Sequence, residues 1–86
     1  MAKYRRLIKP AAVKEIEAIP VKKERRHIAE GIWKLADNPR PSGCEKLSGP
    51  DRYRLRQGRY RILYTVADPE HTVLVVKVGH RRDAAR

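Results

Sequence analysis

The residues best suited to chemistry in this chain are arginines at short intervals: Arg54 and Arg56, then Arg61, then Arg81. A guanidinium presents a planar fork of hydrogen-bond donors and keeps its charge at physiological pH. That shape matches a phosphodiester. It can hold the ground-state phosphate and offset the extra charge that builds during in-line attack. RNA brings its own nucleophile, the 2′-OH. A metal-free ribonuclease then needs help in deprotonating that hydroxyl, cations on the phosphoryl oxygens, and a proton for the leaving 5′ oxygen. Arginines supply the cations but are poor acids and bases. His80 is a separate candidate, because imidazole suits proton transfer near neutral pH.

No competing chemistry is legible. The sequence has no nucleophilic triad, no Cys–His spacing for zinc, no glycine-rich phosphate loop and no paired carboxylates in a plausible site. Asp51, Asp68 and Asp83 fall in turns or in the tail, where aspartate is common for local hydrogen bonding. The histidines are too scattered for a metal centre, and no cofactor is expected. Single Cys44 forms no internal disulfide and reads as a small, partly buried apolar residue.

The elements that must position these arginines are strands. Residues 53–57, 60–67 and 72–78 are rich in Val, Ile, Leu, Tyr and Thr, which fit a pleated, half-buried surface. Gly58 lies in the first gap, and Asp68-Pro69-Glu70-His71 fills the second as a turn. Successive strand side chains point to opposite faces. Arg54 and Arg56 therefore share one face, with Tyr53, Leu55 and Gln57 on the other. Arg61 falls opposite Tyr60, Ile62, Tyr64 and Val66, and Tyr53, Tyr60 and Tyr64 read as core.

Upstream, residues 3–9 alternate as a short strand near a sheet edge. Pro10 suits the first turn of a helix over 11–18, which Pro20 ends. A longer helix spans 21–38, with Ile28, Ile32, Leu35 and Ala36 on one apolar stripe and Lys22, Lys23, Arg25, Arg26 and Lys34 largely off it. Asn38-Pro39 stops it. Trp33 is expected in the core, since a small domain needs its large side chains for burial. Residues 40–50 read as a loop. The fold expected is α+β, a small antiparallel sheet in the order β-α-α-β-β-β with two N-terminal helices packed on one face.

Length and charge bound the rest. The 86 residues form one domain, 1–86, with a small core. There are 21 Lys and Arg against 10 Asp and Glu, a net charge of +11, with a pI near 10.4. That excess favours a polyanionic partner. No apolar run approaches a membrane span and no signal peptide opens the chain, so a soluble cytoplasmic protein with no membrane partner is expected.

Four segments together carry a family resemblance. Lys46-Leu47-x-Gly49, Tyr53-Arg54-Leu55-Arg56, Gly58-x-Tyr60-Arg61-Ile62-Leu63-Tyr64 and Val76-Lys77-Val78-Gly79-His80-Arg81-Arg82-Asp83 resemble the RelE branch of the RelE/ParE toxin superfamily. The similarity extends to the helix ending in Asp37-Asn38-Pro39. It implies the toxin of a type II toxin–antitoxin pair, a metal-independent endoribonuclease that enters the ribosomal A site and cleaves mRNA to a 2′,3′-cyclic phosphate. On the family pattern Arg54, Arg56, Arg61 and Arg81 are the catalytic positions, with arginines at the first two where well-known members carry lysines. Lys46, Arg52, Lys77, His80 and Arg82 are the expected RNA contacts. The implied partners are the ribosome with its mRNA and an acidic RelB-type antitoxin, in a toxin–antitoxin hetero-oligomer. One departure stands out. RelE-like sequences place a tyrosine shortly after the last arginines, whereas this tail reads Asp83-Ala84-Ala85-Arg86, so the expected enzyme either works without that tyrosine or is an attenuated form. Two other readings remain open on the residues: a ParE-like gyrase inhibitor on the same fold, and a non-catalytic RNA-binding module.

Overall fold

Alternating apolar and charged residues force a sheet with one buried and one open face, and helices supply the cover. The computed structural model describes residues 3–49 and 51–80. Its elements run β1 (Arg5–Ile8), α1 (Pro10–Glu17), α2 (Lys22–Leu35), β2 (Cys44–Lys46), β3 (Arg52–Gln57), β4 (Tyr60–Ala67) and β5 (Thr72–His80). The strands form one sheet in the order β1-β5-β4-β3-β2. The α+β architecture has the two expected N-terminal helices on one sheet face.

Two features go beyond the sequence reading. First, β1 lies at an edge, but it pairs parallel to β5, so the sheet is mixed. Second, the segment read wholly as loop contains β2, antiparallel to β3 with Glu45 opposite Arg54. Three residues among Pro, Gly and Ser carry almost no local strand signal. Only the neighbouring β3 makes them a strand.

Pro10 opens α1, where its missing N–H is no loss. Ala12 and Ile19 are buried beneath the helix pair, and the Arg25 guanidinium donates to the Ile19 carbonyl at the bend between helices. In α2 the stripe behaves as its spacing requires, burying Ile28, Ile32 and Leu35. The helix proper ends at Leu35, earlier than expected. The N–H groups of Ala36 and Asp37 turn back to the Trp33 and Lys34 carbonyls, tightening the last turn before Pro39.

Trp33 is a correction: it is 64% exposed, not core. It follows Ile32 by one residue, roughly 100° around the helix, and so lies off the buried stripe, beside the edge strand β1. The Arg6 guanidinium lies 3.7 Å from its ring centroid.

The covered face is built by Tyr53, Leu55, Ile62, Tyr64, Val66, Val73, Val75 and Val78, all buried. A bulge between Leu63 and Tyr64 makes the β5 part of this set possible. Tyr64 pairs with Val75 and Leu63 with Lys77, so Val76 is the extra residue. It shifts the alternation by one and lets both Val75 and Val78 face the helices. The Val78 N–H, on the strand edge that β1 no longer covers, donates to Glu15 of α1 at 2.8 Å. Gly31 marks the closest approach of α2 to the sheet. A Cβ there would lie 2.8 Å from the Gln57 side chain, whose amide donates to the His27 carbonyl.

A polar staple ties four segments together at one end. Arg40 donates to both Asp68 oxygens, at 3.2 and 2.8 Å, and to the Tyr53 hydroxyl at 2.8 Å. Tyr4 donates to Asp68 at 2.6 Å. Beneath it the buried Tyr64 hydroxyl donates to the Pro39 carbonyl, and burial raises its pKa. The hydrogen bonds from Arg40 and then Tyr4 hold the Asp68 carboxyl below its ordinary range.

Asp68 should make the fold acid-labile. Its native pKa is depressed, so its stabilising contribution is complete above the unfolded value near 3.9 and is lost as pH falls through the native one. Asp68→Asn should therefore flatten the acid limb of stability, read from urea midpoints at neutral and acid pH. Trp33→Ala should cost no more than about 1 kcal/mol, the worth of an exposed cation–π contact. Ile32→Ala, one residue away, should cost about 2–5 kcal/mol in the same denaturation assay.

Candidate nucleic-acid interface

The open face of the sheet inherits every residue that alternation keeps out of the core. In β3 these are Arg52, Arg54 and Arg56, and in β4 they include Arg61 and Leu63. The register sets Arg56 directly opposite Arg61, Arg54 opposite Leu63, and Arg52 opposite Thr65. Arg5 joins the same face from β1, opposite Thr72. No helix covers this side, so the arginines reach solvent while their strands stay anchored by the core behind them.

Two details set this face apart electrostatically. Like charges directly opposite one another destabilise a strand pair, yet Arg56 and Arg61 are cross-strand partners. The buried Nε of Arg61 also has no hydrogen-bond partner. A desolvated guanidinium donor without an acceptor is costly. Arg54 is tethered instead: its Nη2 and Nε donate to Glu45 at 3.0 and 3.2 Å.

The structure thus brings Arg54, Arg56 and Arg61 onto one face, with Arg52 beside them. Lys46 and His80 are elsewhere. Lys46 pairs with Tyr53, and its Nζ lies 5.9 Å from that ring on the helix side. His80 pairs with Tyr60 and meets its ring edge-on at 5.6 Å, beside Ala18 and Ile19 just past the end of α1. Lys77 has the register of the open face, but its Nζ is drawn to 4.0 Å from Glu15. Arg81 and Arg82 lie outside the described residues. Sequence reasoning missed Glu45, since the parity that places it with Arg54 exists only once β2 is recognised. Among the described residues no group of three or more His, Cys, Asp or Glu is placed to hold a metal ion, and no helix is long and apolar enough to cross a membrane.

Comparison with known proteins agrees with this architecture. A family model described as the ParE toxin of type II toxin–antitoxin system, parDE, matches residues 7–85. A search of curated proteins finds no match. Among solved structures, the archaeal RelE–RelB complex from Pyrococcus horikoshii OT3 is similar over 92% of this chain and 96% of that one, at 30% identity and a TM-score of 0.83. The intact E. coli RelBE toxin–antitoxin complex matches over 90% and 95% of the two chains, at 26% identity and a TM-score of 0.76. The isolated E. coli RelE toxin, at 24% identity, shares the fold with a TM-score of 0.77 over 90% of this chain and 83% of that one.

The unsatisfied Arg61 makes a two-sided prediction. Arg61→Met removes a buried donor that lacks an acceptor and the like charge facing Arg56, and should raise stability by about 1 kcal/mol in urea unfolding. The same variant should bind single-stranded RNA more weakly, with the log–log salt slope reduced by roughly 0.7 to 1.

Proposed function

Because this chain belongs to the ParE toxin family of type II toxin–antitoxin systems, within the RelE/ParE superfamily, we propose that it is a metal-independent endoribonuclease that cleaves mRNA in the ribosomal A site. The observation that carries this reading is the Arg56–Arg61 pair on an uncovered sheet face, with the buried Arg61 Nε lacking an acceptor. In this reading the scissile phosphate settles over that pair, with Arg54 at its flank and Arg81 completing the set. The 2′-OH attacks phosphorus in line, the 5′ oxygen leaves, and the products are a 2′,3′-cyclic phosphate and a 5′-hydroxyl. The guanidinium groups are preorganised by the ladder and offset charge as it develops on the phosphoryl oxygens.

Arg52 extends the track along the RNA, and Arg82 has the same contact role on the family pattern. Lys46, Lys77 and His80, at the rim and on the helix side, are suited to ribosomal RNA phosphates around the A site. Net charge of +11 favours both that docking and an acidic RelB-type antitoxin, in a toxin–antitoxin hetero-oligomer in the cytoplasm. The ParE description of the family model favours a second reading, a gyrase-inhibiting toxin that acts by binding.

Primer extension on an mRNA under translation by purified ribosomes tests the proposal. Breaks at codon-spaced positions are expected with the chain present, and few in free RNA. Arg61→Ala should slow cleavage by about 10²–10³-fold, as loss of one transition-state donor does, with the circular dichroism spectrum unchanged. Intact mRNA together with loss of supercoiling by purified gyrase would establish the second reading.

A further inference from the structure

Trp33 takes no part in the core or in the arginine face, yet it is the sole tryptophan of the chain and is 64% exposed. An indole left in water forgoes the burial that a small domain needs from its large side chains. It stands on the helix layer, on the other side of the sheet from Arg56 and Arg61. The Arg6 guanidinium lies 3.7 Å from its ring centroid, beside a hollow shared with Ile8, Ile16 and Ile32. Trp33 also borders a second hollow, of about 530 Å³, that Arg6 does not line. Among the described residues no other cation or ring stacks on the indole.

Helix spacing builds this second hollow. Arg26, Ala29 and Glu30 precede Trp33 by seven, four and three residues, so they share its side of α2, and Lys34 follows it at the rim. Ala29 is small and leaves the space beside the indole open. Arg26 and Lys34 are exposed and form no ion pair among the described residues. With Arg6 they set three cations around the indole against one acid, Glu30, which itself lies 3.9 Å from the His27 ring. An exposed aromatic face among unpaired cations is what single-stranded nucleic acid requires: every base has a π-face to stack, and the phosphates on either side of it meet the charges. An apolar protein partner fits less well, since Ala29 is the one aliphatic residue lining this hollow.

We infer that Trp33 is a stacking platform for an unpaired base of RNA, a second RNA contact separate from the arginine face. The choice of RNA rests on the reading above, whereas the stacking itself requires no cleavage. The base lies flat against the indole beside Ala29, and its adjoining phosphates meet Arg26 and Lys34. Bases free to splay out occur in loops, bulges and ends, so this site selects single-stranded over duplex RNA. Charge alone confers no such preference, because both forms offer phosphates.

The test uses Trp33 as its own reporter, since no other tryptophan contributes to the emission. The full chain, and an Arg61→Ala chain that weakens the sheet-face contact, are titrated with a short uridine oligonucleotide. An abasic ribose-phosphate strand of equal length, a duplex RNA and polyglutamate serve as comparisons. The uridine strand should quench the emission of both chains, and the other three polyanions should not. In the Arg61→Ala background, affinity for labelled uridine strand should fall about 5- to 150-fold with Trp33→Ala or Trp33→Leu and be largely kept with Trp33→Phe. The salt slope should stay the same in these three, but drop by about 0.7 with Lys34→Ala. Emission unchanged at saturating uridine strand, equal quenching by the abasic strand or polyglutamate, or Trp33→Leu binding as tightly as Trp33 would each overturn the inference. Quenching by RNA in a chain that cuts no mRNA on ribosomes keeps this site and removes the nuclease reading. Cleavage without quenching does the reverse.

Discussion

The two-residue period of the β3–β4 hairpin constrains everything else in this molecule. One set of positions on these strands, Tyr53, Leu55, Ile62 and Tyr64, is buried against the helices. The intervening set, Arg54, Arg56 and Arg61, is turned the other way. Slipping the register by one residue would bury arginines and expose the core, so hydrophobic burial itself holds the cationic face in place. Burying an aliphatic side chain contributes about 1.5–3 kcal/mol. That margin lets the open face carry like charges in direct opposition.

Those like charges work against the stability of the strand pair. A sheet selected for stability alone would not place Arg56 across from Arg61, nor leave the Arg61 Nε buried and unpaired. Both make physical sense when an anion occupies the face. Glu45 is the local exception, one negative group fixed by Arg54 at the margin of the positive field. It keeps part of the surface neutral. The helix layer contributes indirectly: Glu15 closes an exposed strand edge, and the Gln57–His27 bond fixes the hairpin tip near Gly31.

Long-range polar contacts do the remaining work of assembly. Arg40 and Asp68 are 28 residues apart in sequence, and Tyr4 and Asp68 are 64 apart. Their staple joins the loop before β2, the β4–β5 turn and the entry to β1. Trp33 stands outside this arrangement. Its exposed ring, roofed by Arg6, adds little to the core and leaves an apolar platform within a strongly basic surface.

Periodicity in the sequence determined the strands over 60–67 and 53–57, both helices, the stripe of Ile28, Ile32 and Leu35, and the side of the sheet on which Arg54, Arg56 and Arg61 lie. These follow from local spacing, which needs no partner to be read. Tertiary structure decided what depends on neighbours. Strand β2 exists because β3 offers it a ladder, and Glu45 enters the arginine face through that pairing. The parallel docking of β1 and the bulge at Val76 that shifts the alternation late in β5 are likewise set by pairing with distant strands. The same shift and pairing send His80 to the helix side with Tyr60, a destination that residue spacing along one strand does not contain.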